Sequence, residues 1–378
     1  MNLLPTPLFT LLASVLLASS AFGFSGCESQ NSGQPTLEYK AGQMIKAGFR
    51  GMSVDESDHI ERDLVNYHLG SVVLFDYDVP RARAHRNIES PEQLARLIGE
   101  LNELAGSPLL ITIDQEGGRV SRLKPQYGFL PSVSAGYLGK TGDPDSTRFH
   151  AARTAETLAS LGINVNLSPV VDLNLNRDNP IIGGIERSFS SDPDSVVLHA
   201  SITVQEHRKR GILTTLKHFP GHGSSREDSH LGWVDVTDEW TTIELEPWRK
   251  LIERDEADLV MTAHIFNEQW DPDHPATLSS AVLTGILREE LGYEGVILSD
   301  DMQMEAVRSH YGLERAVELA VKAGVDILGF ANNSVYEPDI VPRVHSILID
   351  LVRSGRIPES RIDESWQRIK TLKQNLQQ

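Results

Sequence analysis

GILTTLKHFPGHGSSREDSH, residues 211–230, is an apolar run that stops in a lysine and a histidine and gives way to a polar loop. Pro220 with Gly221 and Gly223 forbids the continuation of a strand or a helix through the loop. The stretch reads as a buried strand that delivers Lys217 and His218 to its carboxyl end. An inert surface loop rarely opens on Lys-His and closes on Asp-x-His, so this loop is where chemistry is expected. Seven further short apolar runs share the character of 212–216: MIKAGF (44–49), SVVLF (71–75), PLLITI (108–113), INVNL (163–167), DLVMTA (258–263), GVILS (295–299) and VDILGF (325–330). Longer amphipathic stretches separate them. Strand and helix alternating through eight units predict an α/β fold of the (β/α)8 TIM-barrel type as a single catalytic domain, with a doubly wound sheet as the alternative.

The ends of the runs favour the barrel. PLLITI stops in Asp114, INVNLSPVV in Asp172, DLVMTA in His264 and GVILS in Asp300, and VDILGF is followed by Asn332 and Asn333. A barrel gathers the carboxyl ends of all its strands on one rim. Helices are marked between them. Ser90-Pro91 opens one with Leu94, Leu97, Ile98 and Leu101 on a single face, and Leu313, Ala316, Val317 and Ala320 repeat at helical spacing before Gly324. Leu283, Ile286, Leu287 and Leu291 do the same before Gly292, and two last helices carry Val344, Ile347, Leu348, Leu351 and then Ile362, Trp366, Ile369.

Of 378 residues 40% are apolar, which is ample for a full core, and 53 acidic against 35 basic residues give a net charge of −18. That balance argues against a nucleic-acid partner and against electrostatic docking on an anionic membrane. Cys27 is the single cysteine, so no intramolecular disulfide forms and cysteine-rich zinc or iron-sulfur sites are excluded. Residues 1–26 carry no charged side chain and hold an apolar stretch, Leu8 to Ala21, of signal-peptide length. They read as a signal peptide of the lipoprotein type, with a membrane-spanning anchor as the competing reading. FSGC, ending in Cys27, resembles a bacterial lipobox with Phe24 in place of the usual leucine. Acylation of Cys27 would attach the chain to a membrane after export, residues 27–38 forming a polar tether and 39–378 the catalytic domain.

Asp300 ends an apolar strand, which suits a rigidly held nucleophilic anion and equally suits a helix cap. Its neighbour Asp301 reads as an N-cap or a supporting group. Asp228 and His230, two apart in a loop, suit acid/base work, since a carboxylate on one imidazole nitrogen fixes the tautomer and raises the basicity of the other. Metal binding through His218, His222, His230, His264 and Asp300 is the rival reading, but the first strand lacks the His-x-His usual in barrel metallohydrolases. No G-x-S-x-G follows a strand, and neither a P-loop nor a dinucleotide fingerprint occurs. IDQEGGRVSRL supplies Asp114, Arg119 and Arg122, and GGIERSF supplies Arg187. Charged groups of both signs around a barrel mouth imply a ligand rich in hydroxyl and carbonyl groups, such as a sugar. Trp233, Trp248 and Trp270 read as packing.

IDQEGGRVSRL, ERSF, LKHFPGHGSSREDSH, MTAH, PATLS and LGYEGVILSDDM, in this order, resemble the β-N-acetylglucosaminidases of glycoside hydrolase family 3, and the resemblance covers the whole barrel region. It implies a (β/α)8-type barrel and a retaining mechanism with Asp300 as nucleophile and His230, oriented by Asp228, as acid and then base. It implies that Asp114, Arg122, Arg187, Lys217 and His218 bind the hydroxyls and acetamide of a terminal sugar, and that no metal or organic cofactor takes part. Many members that cleave glucosides take their acid/base carboxylate from a second domain, so the Asp-Ser-His sequence points to amino-sugar substrates: muropeptides or other peptidoglycan fragments, or chitin-like oligosaccharides. A β-glucosidase, an N-acetylglucosaminide phosphorylase and a non-catalytic sugar-binding lipoprotein are the alternatives. Two expectations concern the loop itself. The glycines between Lys217 and Asp228 suggest a hinge that lets His230 stand away from Asp300 without ligand, and His222 reads as a structural residue.

Overall fold

The computed structural model describes residues 35–57 and 59–376; the signal peptide, Cys27 and the first part of the tether lie outside the described residues. Among the described residues there are ten strands: β1 (Ile45–Gly48), β2 (Ser71–Leu74), β3 (Tyr77–Asp78), β4 (Arg83–Ala84), β5 (Leu110–Ile113), β6 (Val165–Asn166), β7 (Leu213–Phe219), β8 (Leu259–Thr262), β9 (Val296–Asp301) and β10 (Ile327–Phe330). Eight of them close a parallel barrel in the order β1-β2-β5-β6-β7-β8-β9-β10, each beside its sequence neighbour, and β3 and β4 form a separate antiparallel hairpin. Each of the eight apolar runs contributes one barrel strand, so the (β/α)8 barrel stands and the doubly wound sheet does not.

Parallel strands buried on both faces read as unbroken apolar runs, and here the strand residues are buried almost throughout. Register partners on neighbouring strands share a face: Lys46 pairs with Ser71, and Ser71 with Leu110. Side chains alternate along a strand, which puts Asp114, two residues beyond Thr112, on the same face as Leu110. On the outer side Trp248 is fully buried and meets the Phe219 ring edge-on at 5.2 Å. Burying such a side chain contributes on the order of 1.5–3 kcal/mol.

The helices start and stop where the punctuation says. Ser90 Oγ accepts the Gln93 amide at 3.2 Å to cap the helix Pro91–Leu104. The helix Leu313–Ala323 ends against Gly324, whose φ is +125°. Three details depart from the sequence reading. The chain turns helical at Leu37, capped by Thr36, two residues before the boundary expected at 39. The segment Ala281–Glu290 winds as a π-helix, wider than the ordinary spacing of its leucines suggests. β7 extends to Phe219, so Lys217 and His218 belong to the strand and are held by its ladder.

Candidate active site

At the carboxyl end of the barrel, ions of alternating sign form one connected chain. Lys217 Nζ, in a side chain almost fully buried, lies 2.7 Å from Asp114 Oδ1 and 2.6 Å from Glu116 Oε1. Arg122 Nη2 reaches the other oxygen of Asp114 at 3.3 Å. Arg187 grips Glu116 with two donors, Nε at 2.8 Å and Nη2 at 2.7 Å, and the same Nη2 stands 3.2 Å from His218 Nε2. His218 Nδ1 in turn is 2.7 Å from Asp172 Oδ2. Buried charges are tolerated only when paired and hydrogen-bonded, and here each is. Burial pushes the Glu116 carboxyl up, and the cations of Arg187 and Lys217 outweigh it and hold it below its ordinary range. Lys217, Lys46 and Arg122 do the same for Asp114.

All five residues expected to meet the sugar, Asp114, Arg122, Arg187, Lys217 and His218, thus stand in one cluster. Two of its anchors were not singled out as such. Glu116 lies two residues past Asp114, the same-face spacing of an extended segment, but its importance depends on Arg187, remote in the chain. Asp172 stands at the strand end expected of it, and its role is to order the β7 turn: it accepts the His218 and His222 backbone amides as well as the His218 ring. Arg119, by contrast, is exposed on the Gly117–Val120 turn, apart from the cluster.

Asp300 sits at the tip of β9 and accepts the Asp301 amide at 2.8 Å. Burial pushes its carboxyl up, yet the imidazoles of His264, His218 and His230 outweigh burial and hold it down at about 2. It is therefore an anion across the neutral range, and it caps no helix, since the next one starts at Glu305 after Met304. Nor does Asp301 cap that helix: its Oδ1 takes the amides of Gln303 at 3.1 Å and Ala331 at 3.0 Å, tying β9 to the end of β10, and burial pushes its carboxyl up to about 6.

Asp228 Oδ1 accepts both the backbone amide of His230 at 2.8 Å and its ring Nδ1 at 2.7 Å. The pair closes a tight turn within the loop. The carboxylate fixes the proton on Nδ1 and leaves Nε2 for exchange. Burial alone would lower the His230 pKa; the hydrogen bond to Asp228 and the charges of Asp300 and Asp228 raise it above the ordinary value. The charge of each of His230 and Asp300 favours the charged form of the other, and the His230 side chain is half exposed at the rim.

The glycines of the loop have a packing reason to be glycine, whatever freedom they also give the segment. A Cβ on Gly223 would meet the Leu173 carbonyl oxygen at 1.7 Å, and one on Gly221 (φ +123°) would meet Glu244 at 2.7 Å. These are close-packing positions. Glu244 clamps them further by accepting the Gly223 amide at 2.9 Å and the Ser224 hydroxyl at 2.5 Å. His222 is structural, as expected: its Nδ1 reaches Ser225 Oγ at 2.5 Å and its Nε2 reaches Ser229 Oγ at 3.3 Å. The histidines named as metal ligands have other work. His218 is engaged with Asp172, His222 with two serines and His264 Nε2 with the Asp301 carbonyl at 3.0 Å. Among the described residues no group of three or more His, Cys, Asp or Glu stands where it could hold a metal ion. Trp248 is core, and Trp233 packs against Phe266 and His310.

This arrangement has a fixed anion, a proton carrier with a set tautomer, and a cluster of donors and acceptors on one rim. Residues 36–372 match the model of the glycosyl hydrolase family 3 N-terminal domain. The chain is 36% identical over 283 residues to a beta-hexosaminidase of Tolumonas auensis, covering 74% of this chain and 80% of that protein. It is 32% identical over 346 residues to the beta-hexosaminidase LpqI of Mycobacterium tuberculosis, covering 88% and 82%. A solved family 3 beta-N-acetylglucosaminidase from Paenibacillus sp. FPU-7 superposes with a TM-score of 0.82 at 36% identity, over 91% of this chain and 63% of that one.

Proposed function

The chain belongs to glycoside hydrolase family 3, and from that premise we propose that it is a retaining, exo-acting β-N-acetylglucosaminidase that releases terminal β-linked N-acetylglucosamine. The carrying observation is the pairing of an anionic Asp300 with His230, whose Nδ1 is committed to Asp228. In the first step an Asp300 carboxylate oxygen bonds to the anomeric carbon while the His230 imidazolium gives its Nε2 proton to the departing glycosidic oxygen. In the second, neutral His230 takes a proton from water, whose oxygen displaces Asp300 and restores the β configuration. Retaining glycosidases ordinarily use two carboxylates. A histidine suits both steps because an imidazole, whose ordinary pKa lies near neutrality, can be acid and then base within one cycle. Lys217, with two of its donors on Asp114 and Glu116, presents the cluster's charge to sugar hydroxyls, Arg122 and Arg187 supply further donors, and His218, its two ring nitrogens engaged by Asp172 and Arg187, offers its ring edge beside them. Similar proteins matched over most of their own length are named beta-hexosaminidases, which supports the amino-sugar reading.

Turnover of a chromogenic N-acetyl-β-glucosaminide, well above that of the matching glucoside, is the expected result; turnover of the glucoside alone would sink the substrate assignment. Covalent trapping by a fluorinated N-acetylglucosaminide should vanish in Asp300→Asn. Because His230 replaces an anionic acid/base, inorganic phosphate is repelled less at this site than in a two-carboxylate glycosidase, so phosphorolysis is the second reading. Product analysis with and without phosphate separates the two. The proposal includes residues 39–378 as the catalytic domain and export to the cell surface or periplasmic side with acylated Cys27 as anchor, which the apolar stretch Leu8 to Ala21 and the FSGC sequence support. Peptidoglycan fragments and chitin-like oligomers are the natural substrates this location favours. Incorporation of a clickable fatty acid that disappears in Cys27→Ser tests the anchor.

A further inference from the structure

Lys46 lies inside the first apolar run, where a charge is least expected, and it is only 5% exposed. It pairs with Ser71 on β2 and with Gly329 on β10, and Gly329 pairs with Asp301 on β9. Ser71 is the partner of Leu110, which shares the interior face with Thr112 and Asp114, so Lys46 points into the barrel. Its stem runs past Gly329: a Cβ built there would lie 3.3 Å from Lys46 Cε, and glycine leaves that passage open. Among the described residues the ammonium has no carboxylate within 4 Å and no hydrogen-bond partner, unlike Lys217, which has two carboxylates in contact.

The charges that face it are known. Asp114, Asp300 and Asp301 attract it and Lys217 repels it, while burial pulls its pKa down. His264, His218 and His230 complete the ring of titratable groups around Asp300. Three carboxylates thus converge on one mouth, and carboxylates that share a site raise one another's pKa. Asp114 is answered directly by Lys217 and Arg122. Asp300 and Asp301 are answered through backbone amides and imidazoles, and no cation contacts either of them among the described residues. With no carboxylate in contact, the Lys46 ammonium acts on these anions through its field across the barrel mouth.

We propose that Lys46 is a positioning residue for the nucleophile: from the β1 side of the barrel interior its ammonium keeps Asp300 and Asp301 in their charged forms without occupying the oxygens that must meet the sugar. The proposal rests on Asp300 being the nucleophile. The test is the pH dependence of kcat/KM on the chromogenic N-acetylglucosaminide for the full chain, for Lys46→Met and for Lys46→Arg. In Lys46→Met the acid limb should rise by about one pH unit and the rate at its optimum fall roughly tenfold, with KM nearly unchanged. Lys46→Arg, which keeps the charge, should restore the limb. An acid limb that stays put in a folded Lys46→Met overturns the proposal. Should the neutral variant fail to fold, a second measurement leaves Lys46 intact: the Lys46 Cε resonance, followed by NMR in lysine-labelled protein, should titrate at lower pH in Asp300→Asn than in the parent. An unchanged titration overturns the proposal as well. Trapping that persists in Asp300→Asn overturns the nucleophile assignment itself, which keeps that failure distinct from a failure of Lys46.

Discussion

His222 and Ser229 join the two ends of the loop that follows β7: Nε2 of His222 stands 3.3 Å from the hydroxyl of Ser229, the residue between Asp228 and His230. Nδ1 of His222 faces Ser225 Oγ, whose proton is directed to the His222 carbonyl at 2.9 Å, so Nδ1 donates and Nε2 accepts from Ser229. That arrangement requires a neutral imidazole, and burial holds the His222 pKa down at about 4. The backbone amide of His222 is in turn tied to Asp172 at 2.8 Å. A line of hydrogen bonds therefore runs from the rigid strand end to the segment that carries Asp228 and His230, the proposed acid/base pair.

Ser229→Ala removes one bond of that line and leaves Asp228 and His230 in place. A neutral hydrogen bond contributes about 1 kcal/mol net, so kcat should fall roughly fivefold. KM should move less than kcat, since no proposed sugar contact is lost. Steady-state kinetics on the chromogenic substrate read both.

Asp228→Asn should lower the alkaline limb of the kcat/KM profile. The carboxylate stabilises the imidazolium by charge and by the 2.7 Å bond to Nδ1, so its loss brings the His230 pKa down. The acid form of His230 then disappears at lower pH, by about one unit. The rate at the optimum should fall on the order of a hundredfold, the low end of what a positioned acid/base supplies. An alkaline limb that stays in place would assign it to another group.

Much of this was legible in the chain because a barrel converts strand ends into a rim. Asp114, Lys217, His218 and Asp300 each follow or close an apolar run, and the run alone places them. What the chain hid are relationships across long separations. Glu116 matters because Arg187 folds over it, and Glu244 because it fills the space left by Gly221. Lys46 was invisible inside MIKAGF, since a two-residue period says which face a side chain takes but not that the face holds three carboxylates. The glycines were ambiguous for a related reason: glycine serves both flexibility and close approach, and the close approach shows only once the Leu173 carbonyl is seen beside Gly223.

Glu244 predicts a stability that depends on pH. Burial raises its carboxyl to about 7 from an ordinary 4.5. A group whose folded pKa is raised stabilises the fold fully below the unfolded value, and that contribution fades as the pH climbs through about 7. The chain should therefore lose up to about 3 kcal/mol from this one group between pH 4.5 and 8. Glu244→Gln can still accept the Gly223 amide and donate to Ser224, so it should flatten the dependence. Thermal melts of both proteins at pH 5 and pH 8 decide it: an equal gap in the two would place the titration elsewhere.

Two glycine substitutions separate close approach from mere flexibility. Gly99 is exposed in the helix Pro91–Leu104, and a Cβ there meets nothing within 4 Å. Gly99→Ala should stabilise the protein by about 0.5–1 kcal/mol through helix propensity. Gly223→Ala sets a methyl 1.7 Å from the Leu173 carbonyl oxygen, and backbone cannot yield as a side-chain tip does. It must push the loop off the strand end, breaking the Glu244 clamp and carrying His230 with it. The expected result is a lower melting temperature together with a loss of kcat larger than that of Ser229→Ala. If Gly223→Ala instead melts like the parent and turns over at its rate, the loop is not anchored where the packing says, and the path from Asp172 to His230 has to be drawn through other residues.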